Sequence, residues 1–354
     1  MNYKETLFFI AKCLTITFER RNLEKIRLIL KTTKIDWEAV VKVSTSHYVF
    51  PALYCNLKRV RLLKYVPDDL VEYMKYLTDL NRDRNEQIIQ QAKKLNSLLL
   101  MHDIRPIFLK GTGNLLEGLY QDIGERMVGD IDFLLSKKDL SNAIDILKND
   151  NYYKSENLLD NFPGHRHYPR LVKQENIAAV EIHKDVIIEK YVDEFNYKMI
   201  SEDAQQINDF SVLSFENQLS LSIIASHLND YGFELKKFSL RNAYDVFLLS
   251  KKVNTKKAIL NFNELKNPLN CYLANCNYVF GDLDSLKFCN TKESDLYVKE
   301  FNKSLFKKTK FNLKMYFTSI TITFKRRFII VCKSIFNAEN RNWLIKKIKD
   351  KINI

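Results

Sequence analysis

Glycine and proline are scarce, 8 and 6 of 354 residues, which excludes a collagen-like repeat and a Gly/Pro-rich disordered chain. No run approaches the roughly 18 consecutive apolar residues that a membrane span needs. The apolar stretch Leu7 to Phe18 is divided by Lys12 and followed by no small-residue cleavage site, so it does not read as a signal peptide. The six cysteines form no CxxC pair, and a chain of this length needs no disulfide framework. Cys271, Cys276 and Cys289 fall close together, but their spacing, with no neighbouring histidine, suits zinc poorly. This usage fits a reducing, cytoplasmic setting.

What is present is 46% hydrophobic and 28% charged residues, the profile of a folded, helix-rich globular protein. The length is about what one core supports, so it predicts one enzyme-sized unit with appended helical layers, or two domains. The formal net charge of +13 invites a nucleic-acid reading. Its location narrows that reading: residues 301–354 carry 14 Lys or Arg against Glu339 and Asp350, which leaves the first 300 residues at +1. The basic tail alternates apolar clusters (Met315-Tyr316-Phe317, Phe328-Ile329-Ile330-Val331) with cationic ones (Lys325-Arg326-Arg327, Lys346-Lys347). Such a segment suits an anionic surface, lipid or RNA, or an acidic partner; it equally suits a helical pair with solvated lysines.

Apolar residues recur at helical spacing from Tyr3 to about Leu100, and a long helix is expected to end at His102-Asp103. Five of the eight glycines then crowd into residues 111–129. Crowding of this kind marks a sharp turn or a close approach to a ligand. Ile107-Phe108-Leu109 reads as a buried strand that ends in Lys110-Gly111-Thr112-Gly113, with a helix from Asn114 to Tyr120. Strand, glycine turn and helix start make a phosphate-binding geometry, because unpaired amides face the anion. Neither a Walker loop nor GxGxxG is present.

Val128 to Leu135 predicts a second strand. Alternation puts Asp130 and Asp132 on one face, with Ile131 and Phe133 in the core. Two carboxylates on one face repel unless a cation sits between them, an arrangement that suits Mg²⁺. Ser136 resembles an N-cap for a helix over 137–149. A hairpin follows, with Leu171-Val172-Lys173 paired to Ala178–His183 across Gln174-Glu175-Asn176. Glu181 and His183 share a face there, and Glu181 completes a ligand set for two metals.

Taken together, LKGTGNLLEGLY, ERMVGDIDFLL, HRHYPRL and VEIHKD resemble the uncharacterised nucleotidyltransferase family of the polymerase-beta-like nucleotidyltransferase superfamily. The resemblance spans roughly residues 40–250, with a leading helical region and a trailing one that carries His227 and an Arg241/Asp245 pair. It implies an α+β fold, a small mixed sheet flanked by helices; with the patterns above, the chain is expected to divide into a helical region at 1–100, the nucleotidyltransferase core at 101–200, a helical region at 201–300 and the basic tail at 301–354. It also implies that Gly111 and Thr112 form the turn that holds a triphosphate, and that Asp130, Asp132 and Glu181 bind two Mg²⁺ ions, with Mn²⁺ as the substitute. Lys110, Arg126 and His183 match recurrent positions; the first two are expected to neutralise the triphosphate and His183 to line the site. The gap before Asp130 is long for the superfamily, so Glu117 to Gly129 is expected to loop out.

The implied reaction moves a nucleoside monophosphate from a nucleoside triphosphate to an acceptor hydroxyl, with pyrophosphate leaving. The acceptor is expected to be a small molecule or a protein hydroxyl, since residues 1–300 offer no excess of positive charge to guide a polynucleotide. His165 and His167 occupy a loop where contact with phosphate or acceptor competes with plain solvation. His227 reads as a packing histidine. The competing readings are a silent nucleotide-binding protein, and a scaffold that acts through its basic tail, cytoplasmic or peripheral at a membrane.

Overall fold

The computed structural model describes residues 1–155, 165–306 and 310–352. Five helices lead: α1 (Tyr3–Thr15), α2 (Arg20–Thr32), α3 (Trp37–Ser46), α4 (Phe50–Arg59) and α5 (Asp68–Leu100). The chain then enters a sheet through β1 (Ile107–Phe108), α6 (Lys110–Glu117), β2 (Asp130–Leu134), α7 (Leu140–Asn149) and β3 (Tyr153–Lys154). It continues with β4 (Leu171–Val172), β5 (Ala179–His183), α8 (Tyr197–Glu202), β6 (Gln205–Ile207) and β7 (Phe210–Val212). Helices close the chain: α9 (Phe215–His227), α10 (Gly232–Leu235), α11 (Leu240–Leu249), α12 (Thr255–Ala258), α13 (Lys266–Phe280), α14 (Lys292–Ser304), α15 (Lys310–Phe336) and α16 (Ala338–Ile352).

The sheet has seven strands in the order β3-β4-β5-β2-β1-β7-β6. Pairs β2/β5 and β1/β7 are parallel and the others antiparallel, so this is a mixed sheet in an α+β fold. Strands β6 and β7 lie past residue 200. Phe108 and Phe133 are fully buried at its centre, with ring centroids 5.9 Å apart.

Several boundaries differ from expectation. The first strand stops at Phe108, although the Leu109 amide still donates to the Asp132 carbonyl at 2.9 Å. Helix α6 begins four residues earlier than its pattern suggests. The Ser136 hydroxyl accepts from the Asp139 amide at 3.3 Å, a turn that ends just before α7 starts at Leu140.

The segment from Glu117 to Gly129, expected to loop out, is pinned inward instead. Arg82 on α5 grips Asp122 through two nitrogens, at 3.0 and 2.8 Å. Buried Glu125 bonds Arg59 of α4 and accepts from the Tyr244 hydroxyl at 2.6 Å. Asn81 and Asn85 of α5 donate to carbonyls of Gly124, Ile123 and Arg126. A polar segment can be buried this way because its backbone groups find partners on the long helix.

Candidate active site

Strand β2 lies parallel to β5 with Asp130 opposite Ala179, Asp132 opposite Glu181 and Leu134 opposite His183. Alternation sends Ile131, Phe133, Val180 and Ile182 into the core, all fully buried. Asp130, Asp132, Glu181 and His183 carry side chains to the same site. His183 Nε2 sits 2.8 Å from Asp132 Oδ1 and 3.7 Å from Glu181 Oε2. One ligand atom from each of Asp132, Glu181 and His183 lies within 4.8 Å of the others, and all three residues are buried. Two carboxylates and an imidazole at this spacing fit a divalent cation. A proton on His183 Nδ1, which faces the Asp185 carbonyl at 3.4 Å, would leave Nε2 as the ligand atom.

Facing carboxylates repel, and two cations balance them here. Lys110 Nζ lies 2.5 Å from Asp132 Oδ1 and 3.9 Å from Glu181 Oε2. Arg170 Nη2 spans Glu181 Oε1 at 2.8 Å and Asp130 Oδ2 at 3.1 Å. Burial opposes ionisation of Glu181, but His183, Lys110, His167 and Arg170 together outweigh it and hold the carboxyl well below the usual range. Burial and the neighbouring charge of Glu181 push Asp130 up to about 6, with Arg170 compensating in part. Asp130 thus shares a face with Asp132 yet stands outside the close cluster, where His183 takes the third place.

The chain leaves β1 through Lys110, whose φ of +51° is left-handed. That conformation costs a residue with a Cβ about 1–2 kcal/mol, and here it precedes an ammonium that rests on Asp132. The glycines follow the turn instead of making it, since Gly111, Thr112 and Gly113 already belong to the first turn of α6. A Cβ at Gly113 would fall 2.7 Å from the Phe108 carbonyl oxygen, and one at Gly111 would fall 2.9 Å from a Val128 methyl. Glycine lets the helix press onto the strand. Thr112 is fully buried and its hydroxyl donates to the Asp130 carbonyl at 3.0 Å, so this side chain is engaged by the fold.

Arg126 is buried in an ion pair with Asp245, Nη2 to Oδ2 2.9 Å, and donates to the Met127 carbonyl at 2.7 Å. The Tyr120 hydroxyl donates to the same carboxylate at 2.7 Å. Asp245 therefore pairs with Arg126, in place of the Arg241 partner that the resemblance implies. Arg126 and Lys110 nonetheless line one cavity of about 160 Å³, together with Arg166 and Arg241.

His167 leaves the solvated loop envisaged for it. It is buried, bridges to His183 in the antiparallel sense, and its ring lies between those of His165 and His183, at centroid distances of 4.1 and 5.2 Å. Burial lowers the pKa of both loop histidines, His165 to about 3. Pro163 and Gly164, ahead of them, lie outside the described residues. His227 is fully buried among Phe233, Tyr272 and Tyr297.

Arg170 and Arg166 are site residues that sequence reasoning missed. The His167–His183 bridge and the Leu171–Val180 pair differ by one residue in register, the count of a β-bulge. The extra residue brings His167 and Arg170, three apart, both toward Glu181: Nε2 at 3.9 Å and Nη2 at 2.8 Å. Strict alternation would put them on opposite faces. The available signal was the charged end of the HRHYPR run, directly before a predicted strand.

The sequence matches the family described as "Uncharacterised nucleotidyltransferase" over residues 33–279. No curated protein matches it. Among solved structures, JHP933 from Helicobacter pylori aligns with 14% identity over 67% of this chain and 97% of its own, at a TM-score of 0.30. A superposition that loose carries no argument about fold or function. The family match spans most of the chain, including every residue of the carboxylate cluster and the cavity beside it, and on that match the chain belongs to the uncharacterised nucleotidyltransferase family.

Proposed function

We propose that the protein transfers a nucleoside monophosphate from a nucleoside triphosphate to an acceptor hydroxyl, with pyrophosphate as the leaving group. The observation that carries this reading is the cross-strand pair Asp132–Glu181, closed by His183 within 4.8 Å. Its oxygens suit Mg²⁺, and the imidazole adds a nitrogen donor that Mn²⁺ accepts readily. Asp132, Glu181 and His183 would hold one ion; Asp130, on the same face of the strand, would join Asp132 around a second. Bound there, the ions would neutralise phosphoryl charge and lower the pKa of the acceptor hydroxyl.

The chain's own residues have distinct parts. Lys110 sits at the boundary between the acidic cluster and the basic cavity, placed to exchange Asp132 for a phosphate oxygen. Gly111 lets α6 lie close against Val128, so that Lys110 keeps this position. Thr112 fixes the Asp130 carbonyl. Arg170 holds Asp130 and Glu181 in register. The acceptor is a small molecule or a protein hydroxyl.

The test is calorimetric titration of each of the four nucleoside triphosphates, with and without Mg²⁺, on the wild type and on Asp132→Asn. Mg²⁺-dependent binding that the variant loses supports the reading. Absence of binding by a folded wild type to all four would end it.

A second reading concerns the tail, and a separate observation favours it. Leu313, Phe317, Ile320, Phe324, Phe328, Val331 and Ile335 are all exposed and recur three or four residues apart, which lines them along one side of α15. Lys314, Lys325 and Arg327 flank that line. Among the described residues no helix is long and apolar enough to cross a membrane. An apolar stripe bordered by cations suits the interface of an anionic bilayer, where the helix would lie in the plane. Flotation with phosphatidylglycerol vesicles tests this: binding that salt weakens and Phe324→Asp abolishes supports it, and equal behaviour with neutral vesicles contradicts it.

A further inference from the structure

The cavity on the far side of Lys110 has a charge problem that the fold leaves unsolved. Lys110, Arg126, Arg166 and Arg241 line it, facing Asp230 and Asp245. Two of the cations are accounted for, Lys110 by Asp132 and Arg126 by Asp245. Arg166 and Arg241 have no ion pair within 4 Å among the described residues. Arg241 stacks over the Tyr48 ring at 5.0 Å, and its Nε is buried with no hydrogen-bond partner.

Both arginines are half-buried, and a guanidinium that gives up part of its hydration without a carboxylate at ion-pair distance is left under-compensated. Burial accordingly lowers the pKa of both arginines, and it raises that of Asp230, the remaining carboxylate. Chains keep such groups where a ligand supplies the missing charge, and arginine forks suit phosphate oxygens geometrically. The volume of about 160 Å³ sets the size: pockets for whole drug-sized ligands begin near roughly 300 Å³. A nucleotide does not fit inside, but a phosphate or diphosphate group does.

We propose that this cavity is a phosphoryl-anion subsite, with Arg241 and Arg166 as the binding residues. The proposal deepens the nucleotidyl-transfer reading and rests on it. The group bound is either the β,γ-diphosphate of the nucleotide, later the leaving pyrophosphate, or a phosphate carried by the acceptor.

The experiment uses the full chain and its Arg241→Gln, Arg166→Gln and Asp132→Asn variants. Pyrophosphate and an Mg²⁺-bound nucleoside triphosphate are titrated into each by calorimetry, with thermal unfolding as a fold control. Pyrophosphate is expected to bind the wild type and raise its Tm. Either arginine variant should weaken that binding at least tenfold while its ligand-free Tm stays equal or rises, since an unpaired charge has been removed. If the triphosphate weakens in parallel, the anion is the nucleotide's diphosphate; if it does not, the acceptor carries the phosphate. Arg241→Lys, which keeps the charge but loses the fork, should fall between wild type and Arg241→Gln. Pyrophosphate binding unchanged in both arginine variants would overturn the subsite, even where Asp132→Asn still abolishes triphosphate binding and so preserves the parent reading. Loss of triphosphate binding in the wild type, with pyrophosphate binding dependent on Arg241, would have the reverse meaning.

Discussion

The two sides of Lys110 handle charge in opposite ways. On the sheet side, Asp130, Asp132 and Glu181 crowd together, yet Lys110 and Arg170 bond to all three. On the helical side, Arg126 is paired, while Arg166 and Arg241 face the cavity with no ion pair among the described residues. The acidic side is thus offset in part by the protein's own cations, two against three carboxylates, and the basic side keeps an excess of positive charge until an anion arrives. Both halves suit a substrate that brings cations to one side and phosphate to the other, which a metal-bound triphosphate does. Lys110, in a left-handed turn, belongs to both.

This contrast can be broken in graded ways. The largest effect is expected from Asp132→Asn, which removes a ligand oxygen and the partner of Lys110. Transfer should fall about 10³-fold, as loss of several kcal/mol of metal-assisted stabilisation implies, with an unchanged circular dichroism spectrum. Next comes Arg126→Met. It leaves Asp245 buried without its ion pair and should cost about 3–5 kcal/mol in denaturant unfolding, whereas Arg241→Met should cost close to nothing. Equal losses in the two variants would erase the distinction between paired and unpaired cations. Gly113→Ala should cost about 1–3 kcal/mol, because its Cβ meets the Phe108 carbonyl oxygen at 2.7 Å and the strand must shift. The substitution should also reduce transfer, since it moves the strand that leads into Lys110.

A further effect lies outside both regions, spreads over several pH units and calibrates them. Burial holds His227 neutral, with a pKa brought down to about 3, while in the unfolded chain it is about 6.5. Between those values the unfolded chain binds the extra proton. The stability from this residue is therefore complete above about pH 6.5 and falls as pH drops toward 3, by at most about 1.4 kcal/mol per unit. Urea unfolding across that range on the wild type and His227→Phe measures it: the variant should show the shallower slope.

Strand alternation carried most of what was legible in advance. The runs around Asp130–Asp132 and Glu181–His183 have period two, and the structure aligns them so that Asp132 faces Glu181. Family membership followed from the same runs. Four features escaped. Arg170 reaches Glu181 through a one-residue bulge, and a bulge reverses the face on which later residues fall. Gly111 and Gly113 were read as a phosphate turn because crowded glycines mark a sharp turn or a close approach to a ligand, while here Gly113 brings α6 close to the β1 backbone and Gly111 brings it close to Val128. Arg126 was read as a ligand-facing cation, and its partner Asp245 lies 119 residues away, a pairing that no local pattern encodes. Asp122 and Glu125 looked like loop charges for the same reason, since Arg82, Arg59 and Tyr244 reach them from distant helices.

Asp132, Glu181 and His183 are proposed to bind a divalent cation together with a nucleotide. Electron paramagnetic resonance of Mn²⁺, titrated with and without a non-hydrolysable nucleoside triphosphate, tests it without knowledge of the acceptor. Protein-bound Mn²⁺ is expected in the wild type, tighter with nucleotide, with loss of the bound signal in both Asp132→Asn and Glu181→Gln. Mn²⁺ binding that is the same in the wild type and both variants would contradict it.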